Sequence, residues 1–198
     1  MVRQNRVQPT GDIVAEPTRG SYMGNRGILH NEAGQLGAAR WRHKAWVTCV
    51  LEFKNRRRKL MQPGNYTELF FHDEAVAFAA GHRPCGECRR ADYNRFRDTL
   101  GITGKITNFD ALLHQERAIP RRAMQRRHQA DLRDMPTGAF VLDEDGTPML
   151  VQDDAWVPFL STGYGRARIK PRNGQVALLT PPLLVAALKN GYTLDARA

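Results

Sequence analysis

The sequence predicts an α+β protein in which helices and strands are mixed through the first two thirds and strands dominate the last third. Three observations support this class. Residues 46–53 are rich in β-branched and aromatic side chains, which is typical of a strand. Residues 73–117 contain three segments that begin and end with recognisable helix-terminal residues. Residues 138–159 hold short apolar runs separated by an acidic turn, as in a β-hairpin.

The N-terminal third mixes polar, glycine-rich and strand-like segments. Residues 1–18 are polar and contain two prolines, so we expect a flexible arm. Three glycines in residues 20–27 indicate tight turns or a close approach of the backbone to a ligand. The strand predicted over residues 46–53 precedes a run of four basic residues at 56–59. A second strand is expected over residues 66–71.

Three helices are predicted in the middle of the chain from their end signals. Asp73 is a suitable N-cap, and Gly81 is the usual residue after the C-terminal turn. A second helix should occupy residues 89–100, followed by Gly101, and a third residues 108–117, before Pro120.

The last third should be mostly β-structure, with strands within residues 138–159. Thr180 followed by Pro181 predicts an N-cap and first helical residue, so the chain should end in a helix that stops before Gly191. Charge and element type both change near residue 130. We therefore predict an arm at 1–18, a basic domain at 19–130 and a β-rich region at 131–198, which could be continuous with the preceding domain.

The charge of the chain is strongly positive and unevenly distributed. The net charge is +10 and the isoelectric point about 10.1. Residues 83–128 hold 11 Lys and Arg against 5 Asp and Glu, whereas residues 129–198 hold 7 against 8. Clustered arginine in a basic domain predicts contacts with phosphate groups. We therefore expect a nucleic-acid partner.

Hydrophobic patterning predicts neither a membrane span nor a signal peptide. No stretch approaches the roughly 20 apolar residues that a transmembrane helix needs. Residues 1–19 lack the apolar segment of a secretory signal. We therefore expect a cytoplasmic protein without a membrane partner.

Three cysteines indicate metal chemistry rather than a disulfide framework. Cys85 and Cys88 are spaced as Cys-x-x-Cys, which lets a turn present both sulfurs to one point. Cys49, in a predicted strand, is the expected third ligand, and the expected cofactor is zinc. His82 is the nearest candidate for a fourth ligand, with three alternatives: His30, His43 and His72.

The segment from Leu69 to Arg90 resembles the N-terminal zinc domain of Ada-type DNA alkylation-repair proteins. It has a Phe-Phe strand end, a short Ala-rich helix and the run Ala-Gly-His-Arg-Pro-Cys-Gly-Glu-Cys-Arg. The resemblance covers about residues 45–95, a quarter of the chain. It implies an Ada-like zinc module, to which we expect the rest of the chain to add a basic N-terminal extension and a small β-rich C-terminal region that ends in a helix.

The chain departs from that family in one respect that matters for function. The family has four zinc-binding cysteines, and one of the first pair accepts a methyl group from DNA. Here residues 54–59 occupy that place and contain no cysteine, so the methyl-acceptor chemistry is not implied. What the resemblance implies is a zinc-supported DNA-binding surface. Its phosphate contacts would be Arg56, Arg57, Arg58, Arg89, Arg90 and Arg95, and Tyr93 would stack on a base.

Other functional classes stay open at this point. A nuclease or another nucleic-acid-modifying enzyme could use a general base and phosphate-binding arginines. The candidate catalytic residues for it are His114, Glu116, His30 and His128, beside the arginines at 121, 122, 126 and 127. A zinc deaminase would need His-x-Glu before Pro84-Cys85, and His72-Asp73-Glu74 lies too close to it to fit a core strand between them. A protein-interaction module with an acidic partner is the third class.

Overall fold

A computed structural model describes residues 2–55, 59–120 and 122–197. Within these ranges the chain folds into two large sheets, a two-stranded ribbon and four α-helices. The predicted α+β class is therefore confirmed.

The first sheet is built from the N-terminal part of the chain. Its strands are β1 Gln4–Val7, β2 Ile13–Ala15, β3 Tyr22–Asn25, β4 Val47–Val50, β5 Leu69–Phe71 and β6 Arg83–Pro84. In the part that the structure describes, they lie in the order β2-β1-β5-β3-β4-β6. β1 pairs in parallel with β5 and β4 with β6, whereas the other neighbours are antiparallel.

The expectation of a flexible arm at residues 1–18 is wrong for residues 4–15, which form an antiparallel β-hairpin in this sheet. Only Val7 and Ile13 give this segment large apolar side chains in the core, at 2% and 4% exposure. The parallel pairing of β1 with β5, more than 60 residues away, holds the hairpin in place. The sequence did not predict these strands, because their composition is polar and the strand that holds them is distant along the chain.

The second sheet belongs to the C-terminal third, as predicted, and follows a short ribbon in which β7 Ala118–Ile119 pairs with β8 Met124–Gln125. Its strands are β9 His128–Asp131, β10 Phe140–Leu142, β11 Pro148–Val151, β12 Ala155–Leu160, β13 Gly163–Tyr164, β14 Arg168–Ile169 and β15 Gln175–Leu178. Over the described residues their order is β13-β12-β11-β10-β15-β9, with β14 also pairing with β12.

The helices are α1 Glu74–Ala79, α2 Arg90–Thr99, α3 Ile106–Arg117 and α4 Pro182–Lys189. Asp73 caps α1 by accepting a hydrogen bond from the Val76 amide, as predicted. Pro181, not Thr180, is the N-cap of α4, because the Thr180 hydroxyl instead accepts a hydrogen bond from the Phe140 amide at 2.9 Å. Within the described residues, no helix combines the length and apolar character needed to cross a bilayer.

Helix α1 lies between the two halves of the chain and all six of its residues are buried. Its alanines pack in one apolar cluster with Phe71 of the first sheet and Phe140 of the second. Phe78, on the same helix, belongs to the other cluster, which contains residues from α2, α3 and α4. The boundary that the sequence indicates near residue 130 therefore lies within one shared core.

Candidate metal centre

The pairing of β4 with β6 brings Cys49 beside Cys85. The parallel register places Thr48 opposite Pro84, so the next residue of each strand is a cysteine. The Cys85 amide donates a hydrogen bond to the Thr48 carbonyl at 2.9 Å, which extends the pairing by one residue. This pairing holds Cys49 beside the start of the Cys-x-x-Cys turn, although the two lie more than 30 positions apart in the sequence.

A tight turn then returns Cys88 to the same point. The Arg89 amide donates to the Cys85 carbonyl at 3.2 Å, and the Glu87 amide donates to Cys85 Sγ at 3.4 Å. The sulfurs of Cys49, Cys85 and Cys88 all lie within 4.8 Å of one another. Tetrahedral zinc with Zn–S bonds of about 2.3 Å needs sulfurs about 3.8 Å apart. The predicted third ligand, Cys49, is therefore placed where it could join the other two around a metal ion.

The three thiols share hydrogen bonds that favour a thiolate at Cys85. A hydrogen bond from Cys49 is the largest influence on Cys85, and with the backbone N–H groups of Glu87 and Cys88 it lowers the pKa of Cys85 to about 5, against the effect of burial. The same hydrogen bond, followed by burial, raises the pKa of Cys49 above its usual range. Metals bind cysteine in the thiolate form, which these hydrogen bonds favour at Cys85.

A buried ion pair fixes the chain just before the cysteines. Arg83, the residue before Pro84 in β6, donates two hydrogen bonds of 2.7 Å to the carboxylate of Asp110 in α3. Their side chains are only 5% and 3% exposed. Asp110 was not a candidate from the sequence, because only the tertiary structure brings α3 beside β6.

A second ion pair fixes the chain just after the cysteines. Arg89 Nη2 lies 2.7 Å from Glu74 of α1 and 2.8 Å from Asp92 of α2, and its side chain is 3% exposed. Burial raises the pKa of the Glu74 carboxyl, and Arg89 opposes the rise. The expectation that Arg89 contacts phosphate is therefore not met, because its guanidinium is buried between two carboxylates.

The ring of Tyr93 packs against Gly86 in the cysteine turn. It is therefore buried and not available for base stacking. It is 7% exposed, and a Cβ at Gly86 would lie 3.5 Å from its ring. Arg83 also lies against this ring, with its guanidinium carbon 5.6 Å from the centroid. The exposed position that sequence reasoning expected for Tyr93 is wrong because α2 turns this side chain into the core.

His82 lies outside the group of sulfurs and has other contacts. It is fully buried, with its ring 4.6 Å from that of Phe71 and 5.3 Å from that of Trp46. Its Nε2 is 3.3 Å from Arg26 Nε. Among the residues that the structure describes, no fourth Cys, His, Asp or Glu joins the three cysteines.

The candidate catalytic residues each have a separate structural partner. Glu116 accepts a hydrogen bond from the Leu183 amide at 2.8 Å, and His128 Nε2 lies 2.8 Å from the Glu116 carbonyl oxygen. His114 packs edge-on against Trp46, and His30 Nδ1 lies 2.6 Å from the Thr67 hydroxyl. No pair of these four side chains is joined by a hydrogen bond in the described structure, so the fold does not bring the four candidates together in one site.

The His72 and Glu74 side chains, which resemble half of a deaminase motif in the sequence, have other partners. Glu74 is 1% exposed and paired with Arg89, so it does not stand beside the cysteines as a proton carrier. The ring of His72 lies 5.3 Å from Tyr164 and 5.6 Å from Phe159, on the side of the second sheet.

Two of the predicted phosphate-contacting arginines lie at the surface of α2. Arg90, the first residue of α2, is exposed, and the side chain of Arg95 is 50% exposed. Arg95 is linked to Asp92 at 3.1 Å, one helical turn away. Arg56, Arg57, Arg58 and Arg121 lie outside the described residues.

No family model, curated protein or solved structure that was compared with the chain matches it. The resemblance to the Ada-type zinc domain over residues 45–95 thus stays a prediction from the sequence.

Proposed function

We propose that this protein binds zinc through Cys49, Cys85 and Cys88, and that it binds nucleic acid through the basic surface next to that site. The observation that carries the proposal is the convergence of three thiols from two separate segments of the chain. Thiolates are soft ligands that favour zinc among the common divalent ions. Three free cysteines are also typical of a reducing compartment, so we place the protein in the cytoplasm.

Zinc would connect β4 to the turn that opens α2. With three protein ligands, the fourth position of a tetrahedral ion would be filled by water. Because Cys88 precedes Arg89 and Arg90 directly, the metal would fix the start of the helix that carries Arg90 and Arg95. Its role would be to hold these arginines in position rather than to take part in a reaction.

The distribution of charge supports nucleic acid as the partner. The net charge is +10, and arginine is the prevailing cation in residues 83–128. Exposed arginines such as Arg90 are suited to bidentate contacts with phosphate. We propose DNA over RNA because of the resemblance to the Ada-type domain, with Arg56, Arg57 and Arg58 as further contacts.

The zinc half of the proposal is tested by the metal content of the purified protein and of Cys85→Ser. We expect about one zinc per chain in the wild type and little in the variant, because Cys85 is the thiol that its neighbours best prepare as a thiolate ligand. Elemental analysis measures both. Metal-free wild type that also fails to take up added zinc would contradict the assignment.

The nucleic-acid half is tested by binding of labelled duplex DNA and single-stranded RNA over a range of salt concentrations. The double variant Arg90→Ala, Arg95→Ala should weaken binding and flatten the plot of log K against log salt by about 0.9 for each phosphate that the protein no longer neutralises. Arg133→Ala is a matched control, since its side chain is 68% exposed and lies in the C-terminal half. Absence of binding at low salt would instead favour an acidic protein partner.

A further inference from the structure

All three cysteines of the chain lie in the metal centre, and no fourth side chain completes it within the described structure. Each cysteine is half-buried, so the cluster is reached from solvent. A set of three sulfurs is incomplete for a tetrahedral ion. Three sulfurs do satisfy a chemical element that forms three bonds and carries a lone pair in the fourth position.

We propose that the site formed by Cys49, Cys85 and Cys88 captures trivalent arsenic. In neutral water trivalent arsenic is As(OH)₃. Each of three thiols replaces one hydroxide, so three S–H and three As–O bonds break while three As–S and three O–H bonds form. The products are one As(SR)₃ group and three water molecules, and neither arsenic nor sulfur changes oxidation state.

The charge of the product favours arsenic at this position. Three thiolates with Zn²⁺ carry a net charge of −1, whereas three thiolates with As(III) are neutral. A half-buried site penalises uncompensated charge, since desolvation disfavours the charged form. The two buried arginines on either side of the Cys-x-x-Cys turn do not offset the charge of the zinc complex, because Arg83 and Arg89 are both bound to carboxylates.

The rigid surroundings of the cluster favour binding by all three sulfurs at once. The ion pairs of Arg83 with Asp110 and of Arg89 with Glu74 hold the chain on either side of the Cys-x-x-Cys turn. The pairing of β4 with β6 holds Cys49 opposite that turn. Since the three sulfurs are held near each other before binding, formation of the third As–S bond loses little further conformational entropy.

The inference is tested with the full-length protein, reduced and stripped of metal under anaerobic conditions. Arsenite is titrated while free thiols are counted with a chromogenic disulfide reagent. We expect one arsenic per chain and loss of all three reactive thiols. Phenylarsine oxide, which has only two exchangeable positions, should leave one thiol reactive. If arsenite also leaves one or more thiols reactive, the three-sulfur site is contradicted.

Cys49→Ser separates a three-thiol site from the Cys-x-x-Cys pair alone. Arsenite affinity should fall about 100-fold, because one arm of the chelate is removed. Phenylarsine oxide should bind the variant as tightly as the wild type, which also shows that the turn is intact. Arsenite binding equal to that of the wild type would overturn the inference.

Zinc uptake is measured in parallel so that the two proposals are judged separately. Uptake of zinc without uptake of arsenite would overturn this inference and leave the zinc assignment standing. Uptake of arsenite without zinc would support the inference and contradict the zinc assignment.

Discussion

His114 and His82 are held in surroundings that keep both rings neutral. Burial, then the charges of Arg117 and Lys44, lowers the pKa of His114 to about 4. Burial, then Arg26 and Arg117, lowers the pKa of His82 well below its usual range. Trp46 lies among these groups, with the guanidinium carbons of Arg26 and Arg117 4.2 and 4.1 Å from its ring centroid. These side chains form a cationic centre in which additional positive charge is unfavourable.

We therefore expect the protein to lose stability in mild acid. In the unfolded chain a histidine takes up a proton near pH 6.5, whereas folded His114 does so only near pH 4. The contribution of His114 to the free energy of unfolding is thus fully present above pH 6.5 and declines as the pH falls toward 4. His114→Gln should have a smaller decline over that interval, measured by urea unfolding at several pH values. Parallel pH profiles for wild type and variant would refute this origin of acid sensitivity.

At the scale of elements, the cysteine turn is a short segment held between two buried ion pairs. Arg83 joins β6 to α3 through Asp110, and Arg89 joins the start of α2 to α1 through Glu74. Each pair connects elements distant in sequence. The positions of Cys85 and Cys88 therefore depend on residues outside the cysteine cluster.

Asp110→Asn should weaken zinc binding without removing a ligand. The variant leaves Arg83 buried without a carboxylate, and loss of one member of a buried pair costs about 3–5 kcal/mol of stability. Loss of such outer support typically lowers metal affinity about 10–100-fold. Competition with a chelator measures the zinc dissociation constant. Asp98→Asn, an exposed change on α2, is the control and should bind like the wild type.

The elements that the sequence predicted well are those with local signals. The ends of α1 follow from Asp73 and Gly81, and the Cys-x-x-Cys turn follows from its own spacing. The burial of Arg89 and Tyr93 could not be predicted in this way. An arginine and a tyrosine at the start of a basic helix suggest a surface, and only the position of Glu74 and the core beneath α2 shows otherwise.

Contacts with distant parts of the chain also changed the predicted elements. Thr180 has the residue type of an N-cap but bonds to Phe140 of the neighbouring sheet, so the helix begins after Pro181. The hairpin at residues 4–15 depends on pairing with β5, for which its own polar sequence gives no signal. In both cases a contact made across the fold prevails over a local preference.

At the scale of the whole molecule, α1 joins the half that contains the cysteine cluster to the C-terminal half. Its apolar side chains pack in one cluster with residues of both sheets, and the polar residues at its start bond to the C-terminal half. Asp73 accepts a hydrogen bond from the Tyr164 hydroxyl at 2.8 Å, and Glu74 accepts one from the Tyr192 hydroxyl at 3.1 Å. Removing support from one sheet should therefore weaken the other.

Phe140→Ala, a change in the second sheet, should lower the stability of the candidate metal centre in the first. Phe140 has no exposed surface and shares a cluster with the α1 alanines, so its truncation should cost about 3–5 kcal/mol. In urea, reactivity of the cysteine thiols reports the first half and far-ultraviolet circular dichroism reports the whole chain. Both midpoints should move together to lower urea. Ile169→Ala, at a side chain 91% exposed, should move neither. If the thiols of Phe140→Ala became reactive only at the urea midpoint of the wild type, the two halves would unfold independently. That outcome would contradict a shared core.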